Sequence, residues 1–127
     1  MVFEITLHFT TDHDLDLFVD RVVPRVRGRL VEPPADETAE SEGYKRLAVA
    51  VTSASAARDL CSHAFGFLTH LKGARIVFAW NGLDGVRQFG EIESGQSRDA
   101  ELLSIRLGSA AKAALDGARD QEGDASG

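Results

Sequence analysis

Leu47-Ala-Val-Ala-Val51 and Ile76-Val-Phe-Ala-Trp80 are two apolar runs of strand length that bracket one helix-length segment. Between them Ala57, Leu60, Cys61, Ala64, Phe65, Leu68 and Leu71 recur at helical spacing, with Phe67 adding apolar surface outside that stripe. Thr52 or Ser53 stands where an N-cap belongs, and Gly73 where a helix running to about Lys72 would stop. Asn81-Gly82 and Asp84-Gly85 are tight-turn dipeptides, so a hairpin carries the chain into a strand over Val86 to Ile92. Tyr44 to Ile92 therefore reads strand, helix, strand, turn, strand. The strand from Tyr44 to Thr52 is apolar on both faces, which predicts a central, covered position.

Upstream, Phe3, Ile5, Leu7 and Phe9 alternate with Glu4, Thr6, His8 and Thr10, the period of a strand with one buried face. Thr10 or Thr11 can cap the helix that follows, and Asp12, Asp14 and Asp16 crowd its first turn, where the dipole favours anions. That helix carries Leu15, Phe18, Val19, Val22, Val23 and Val26, and Pro24 must kink or end it for want of an amide donor. A short edge strand over residues 29–32 is stopped by Pro33-Pro34, and residues 35–43 form an acidic loop. Downstream, residues 98–118 read as a helix bearing Leu102, Leu103, Leu107, Ala110, Ala111 and Ala114. Gly108 weakens it by about 1 kcal/mol relative to alanine.

The predicted class is α+β, a ferredoxin-like split βαβ sandwich (β-α-β-β-α-β) with an added hairpin strand beside the fourth and a C-terminal helix. Residues 1–96 form one domain. Residues 97–118 form a helix packed on it or extending from it, most simply over the sheet's open face. Residues 119–127 form a disordered tail.

Composition excludes several functions. The chain has 127 residues, a size for one domain, and a net charge of −6. That charge argues against nucleic acid and against an anionic membrane surface as partners. Cys61 is the only cysteine, so no internal disulfide forms. No apolar run approaches the ~18 residues of a membrane span, and the start alternates like a strand, not a signal peptide. A cytoplasmic location is expected. Abundant alanine and an excess of arginine over lysine are expected of a high-GC bacterial source.

Catalytic constellations fare no better. Asp12, Asp14 and Asp16 have a calcium-loop rhythm, but the glycine and glutamate such a loop needs at its sixth and twelfth positions are Leu17 and Val23. His63 and His70 share a helix side but lie about 10 Å apart along the axis, too far to share a metal. Cys61 falls on the apolar stripe, where a thiol is a small hydrophobe. No G-x-S-x-G elbow and no phosphate-cradling glycine loop occurs. No catalytic residue, metal or cofactor is assigned.

What remains is surface. Trp80 ends a strand and, with Phe78 and Phe89, either packs across the hairpin or lines an interface. Residues 1–42 carry 10 acidic and 4 basic side chains, whereas residues 43–96 carry 4 and 6, a split that could orient a partner. Trp80, Phe89, Leu102, Leu103 and Leu107 are the candidate interaction residues.

In layout the chain resembles the effector-associated constant components of actinobacterial conflict systems. The resemblance spans residues 3 to 92. It rests on the first strand (Phe3-Glu-Ile-Thr-Leu-His-Phe9), the acidic helix, the link Arg25-Val-Arg-Gly-Arg-Leu-Val31, the alanine-rich helix and the hairpin from Ile76 to Asp84-Gly85. It implies a non-enzymatic accessory module coupled to a separate effector, often a peptidase-type one, and transfers no functional residue. The expected function is thus a protein-interaction or accessory module acting through its sheet edge and C-terminal helix, with a protein partner or a second copy. The alternatives are a small-ligand regulatory domain on a dimeric scaffold, or a cofactor-free enzyme with Trp80, His63 and His70 near an apolar cavity.

Overall fold

The computed structural model describes residues 2–32, 45–71 and 73–126, with side chains described as far as 117. Pro33-Pro34, the acidic loop at 35–43, Tyr44 and Lys72 lie outside the described residues. The elements are β1 (Phe3–Phe9), α1 (Asp12–Arg21), a 3-10 turn (Val23–Arg25), β2 (Arg29–Val31), β3 (Lys45–Val51), α2 (Ala54–Leu68), β4 (Arg75–Asn81), β5 (Arg87–Glu93) and α3 (Ser97–Ser126). The class is α+β: three helices and one antiparallel five-stranded sheet of order β2-β3-β1-β4-β5.

Local chemistry explains most boundaries. Thr11 caps α1, its hydroxyl accepting from the Asp14 amide at 3.0 Å. Pro24 then diverts the chain into the 3-10 turn. Ser53 caps α2 in the same way, accepting from the Ala56 amide at 3.1 Å. That helix ends at Leu68, earlier than its apolar stripe predicts. The Thr69 hydroxyl donates to the Gly66 carbonyl, and the His70 and Leu71 amides bond the carbonyls three residues back. The last turn so tightens before Gly73, whose φ of +70° completes the reversal. At the β4–β5 hairpin, the Gly82 amide donates to the Val86 carbonyl and Asp84 accepts from the Val86 amide, with Gly85 at φ +81°.

Strand register sorts the sheet into two faces. Ile5 opposes Val49, Leu7 opposes Leu47 and Phe78, and Ile76 opposes Ile92, all within one core. The other face presents Glu4, Thr6, His8, Arg46, Ala48, Ala50, Arg75, Val77, Ala79, Arg87 and Phe89 by the same pairing. Ala48, Ala50 and Ala79 are buried yet stand outside the core cluster. Among the described residues no helix adds to this face, yet Ala48 and Ala50 are buried on it, so β3 is buried on both faces as its apolar pattern predicts. Arg87 reaches from β5 across β4, donating to Thr6 Oγ1 at 2.9 Å and to Asn81 Oδ1 at 3.2 Å, and so lies over the small floor there.

All three helices share the core face. Phe18 of α1 sits between Phe9 (centroids 5.1 Å) and Phe67 of α2 (5.4 Å, edge-on), contacts worth about 0.5–1.5 kcal/mol each beyond their buried area. Phe67 is thus core after all: α2 has neighbours on two sides, which widens its buried arc beyond a single stripe. α3 inserts Ala100, Leu103, Leu107 and Ala111 into the same core. It does not close the opposite face. Gly90 on β5 admits Leu103, since a Cβ there would lie 2.4 Å from Leu103 Cδ1. Against α2 it packs through small groups: the Arg58 stem lies over Gly108, and the Cys61 thiol reaches the Ala100 carbonyl at 3.4 Å. α3 also continues to Ser126, past the 118 expected from the apolar pattern. Once a helix is nucleated, each further residue adds a hydrogen bond that roughly offsets the entropy lost in fixing it. Among the described residues no helix is both long and apolar enough to cross a membrane.

Candidate functional site

β5 is an edge strand of seven residues, hydrogen-bonded to β4 on one side. An open edge invites another strand unless charges or cover block it. Two of its three charged side chains are turned back onto the sheet: Arg87 bonds Thr6 and Asn81, and Glu91 pairs with Arg75 at 3.5 Å. Arg106 of α3 provides partial cover. It stacks 5.0 Å from the centre of the Trp80 ring and donates to the Phe89 carbonyl at 3.2 Å. That contact places one side of α3 along the β5 border. Leu102, one turn before Arg106, belongs to the same row.

The five candidate residues separate into two groups. Trp80, Leu103 and Leu107 are 2%, 3% and 0% exposed, so they hold the fold together and cannot meet a partner. The sequence misled here because a partner-facing helix stripe and a core-facing one have the same period. Phe89 and Leu102 are 50% and 52% exposed and flank β5 from its two faces. Besides Val2 and Leu30, sequence reasoning missed three exposed apolar residues in the hairpin and α3. Leu83 and Val86 bracket Asp84-Gly85 in the hairpin, and Ile105 lies three residues after Leu102. An apolar side chain inside a glycine turn was the available signal for the first two.

A second feature lies on the other side of the helical layer. The end of α1, the 3-10 turn and α2 enclose an open groove of about 710 Å³. Phe67, Val22 and Leu71 supply its apolar part, and Arg21, Arg25, Asp20, Ser62, His63 and His70 its polar part. The two histidines therefore share a groove, but Trp80 is not in it. The cofactor-free arrangement that joined all three is not assembled in this groove.

The remaining candidates are structural. Cys61 is fully buried, and burial pushes its thiol up to about 12, so it is no nucleophile. Asp12 pairs with Lys45 at 3.6 Å and Asp14 follows the Thr11 cap, as befits a helix start. Among the described residues no group of three or more His, Cys, Asp or Glu side chains is placed to hold a metal ion. Compared with known proteins, the chain matches no family model, no curated protein and no solved structure.

Proposed function

We propose that this protein is a non-enzymatic interaction module whose partner docks along the β5 edge and the adjoining side of α3. The observation that carries the reading is the state of that edge. A full-length border strand has apolar groups at Phe89 and Leu102 on either side, with Leu83, Val86 and Ile105 exposed nearby, while Arg87 and Glu91, two of its three charges, are bonded inward. An extended segment added there would gain main-chain hydrogen bonds and two apolar contacts.

The scaffold reading is a ferredoxin-like split βαβ sandwich. The run β1-α1-β2-β3-α2-β4 and the order β2-β3-β1-β4 support it, with β5 and α3 as additions outside that core. The added elements are the ones that form the docking surface. This division fits an accessory module of the effector-associated kind, working in a bacterial cytoplasm on a protein partner or a second copy.

The test is a Phe89→Asp/Leu102→Asp double variant. Both side chains are already half in water, so its melting temperature should stay within a few degrees of the parent. Sedimentation velocity over a concentration series reads self-association, and quantified affinity capture from the source cell reads a partner. Association lost in the variant supports the reading; association unchanged in the variant sinks it.

A further inference from the structure

We infer that the groove between α1 and α2 is a binding site for a small organic anion, a carboxylate or phosphate on an apolar body. This stands apart from the interaction surface, which lies at the β5 border of the sheet.

Three observations converge. The first is local charge. In a chain of net charge −6, the groove gathers Arg21, Arg25, His63 and His70, with Asp20 as its one acidic member among the described residues. Arg21, Arg25, His63 and His70 are all exposed at the rim, with guanidinium and imidazole donors available to an anion. The second is the wall. Phe67 and Val22 are nearly buried and Leu71 half-buried, so an apolar body has a surface to rest on. About 710 Å³ suits a small ligand.

The third is Gly66. His63, Gly66 and Phe67 follow the spacing of one side of α2, and His70 continues that row in the turn that follows it. Glycine is the poorest helix former after proline, so Gly66, in the last turn of α2 and two residues short of its end, wants a reason. Gly66 has no positive φ, and a Cβ built on it meets nothing within 4 Å. Neither backbone geometry nor crowding therefore calls for it, unlike Gly90 and Gly108, over which neighbouring side chains lie. What its missing side chain does is leave a gap between the two histidines, open to the Phe67 wall.

The experiment is titration of the ¹⁵N-labelled full chain with phenyl phosphate and with benzoate, followed by amide shifts. Inorganic phosphate and benzyl alcohol serve as controls. Saturable shifts confined to residues 20–25 and 62–71 are expected for at least one aryl anion, the tighter of the two identifying the head group. Arg21→Gln/Arg25→Gln should weaken binding about tenfold or more. Gly66→Leu should abolish it while melting no lower than the parent, because the added side chain enters free space on a better helix former. The inference falls if neither aryl anion gives saturable shifts at millimolar concentration, or if a control binds as tightly as the aryl anions. It also falls if the arginine and Gly66→Leu variants bind like the parent.

Discussion

Replacing Gly90 with alanine tests whether α3 is seated on β5 as described. The added Cβ would lie 2.4 Å from Leu103 Cδ1, with Leu103 Cδ2 at 3.5 Å and an Arg106 nitrogen at 3.4 Å. Ordinary contact begins at 3.4 Å, so helix and strand must part by about an ångström or Leu103 must change rotamer. Leu103 is only 3% exposed and has little space to turn into. Overpacking of this kind costs about 1–3 kcal/mol. Removing a strand glycine returns about 0.5–1 kcal/mol. The net expectation is a loss of about 1–2 kcal/mol, or roughly 4–8 °C in a thermal melt followed by circular dichroism. The companion experiment is a double-mutant cycle with Leu103→Ala, which removes the colliding methyls. In that background Gly90→Ala should cost about 0.5 kcal/mol or less, giving a coupling of about 1 kcal/mol. An unchanged or raised melting temperature for Gly90→Ala, or an equal loss in both backgrounds, would refute the packing of α3 through Leu103.

Cys61 should resist alkylation at pH 8 in the folded protein and react only in denaturant, as mass spectrometry of iodoacetamide adducts would show. Its raised thiol also sets an alkaline limit. Below about pH 9 the thiol is neutral in both states. Between there and about 12 only the unfolded chain ionises, so stability falls as pH rises, by up to ~1.4 kcal/mol per unit in a urea titration. Ser53→Ala removes the α2 cap and should cost about 0.5–2 kcal/mol by denaturant midpoint, and Ser53→Asp should retain most of it.

The β1 alternation, the Thr11 and Ser53 caps, the Pro24 stop and the Asp84-Gly85 hairpin were all legible, because each depends on groups within a few residues of one another. The β2 strand and the position of β5 beside β4 followed from the same local reasoning. The candidate site was legible only in part. Phe89 and Leu102 are exposed as an interaction residue must be, but Trp80, Leu103 and Leu107 are core. The reason is that an apolar stripe records how much surface wants to leave water and not what covers it. Groove formation was invisible for a related reason: Arg21 and Arg25 precede His63 and His70 by some forty residues, and tertiary packing such as that of Phe18 on Phe67 brings α1 and α2 together.

By itself, then, the sequence determined the element order and the α+β class, since periodicity, caps and turns are short-range. Tertiary structure decided where α3 goes. Its stripe could have closed either face of the sheet. It joined α1 and α2 because Gly90 and Gly108 let it approach β5 and α2 closely, and because the opposite face is lined with Glu4, His8, Arg46, Arg75 and Arg87. Arg75 and Arg87 already hold Glu91, Thr6 and Asn81 there, and a helix laid over this face would have to desolvate those groups. That choice turned Leu103 and Leu107 into core and left Phe89 and Leu102 bordering an open edge.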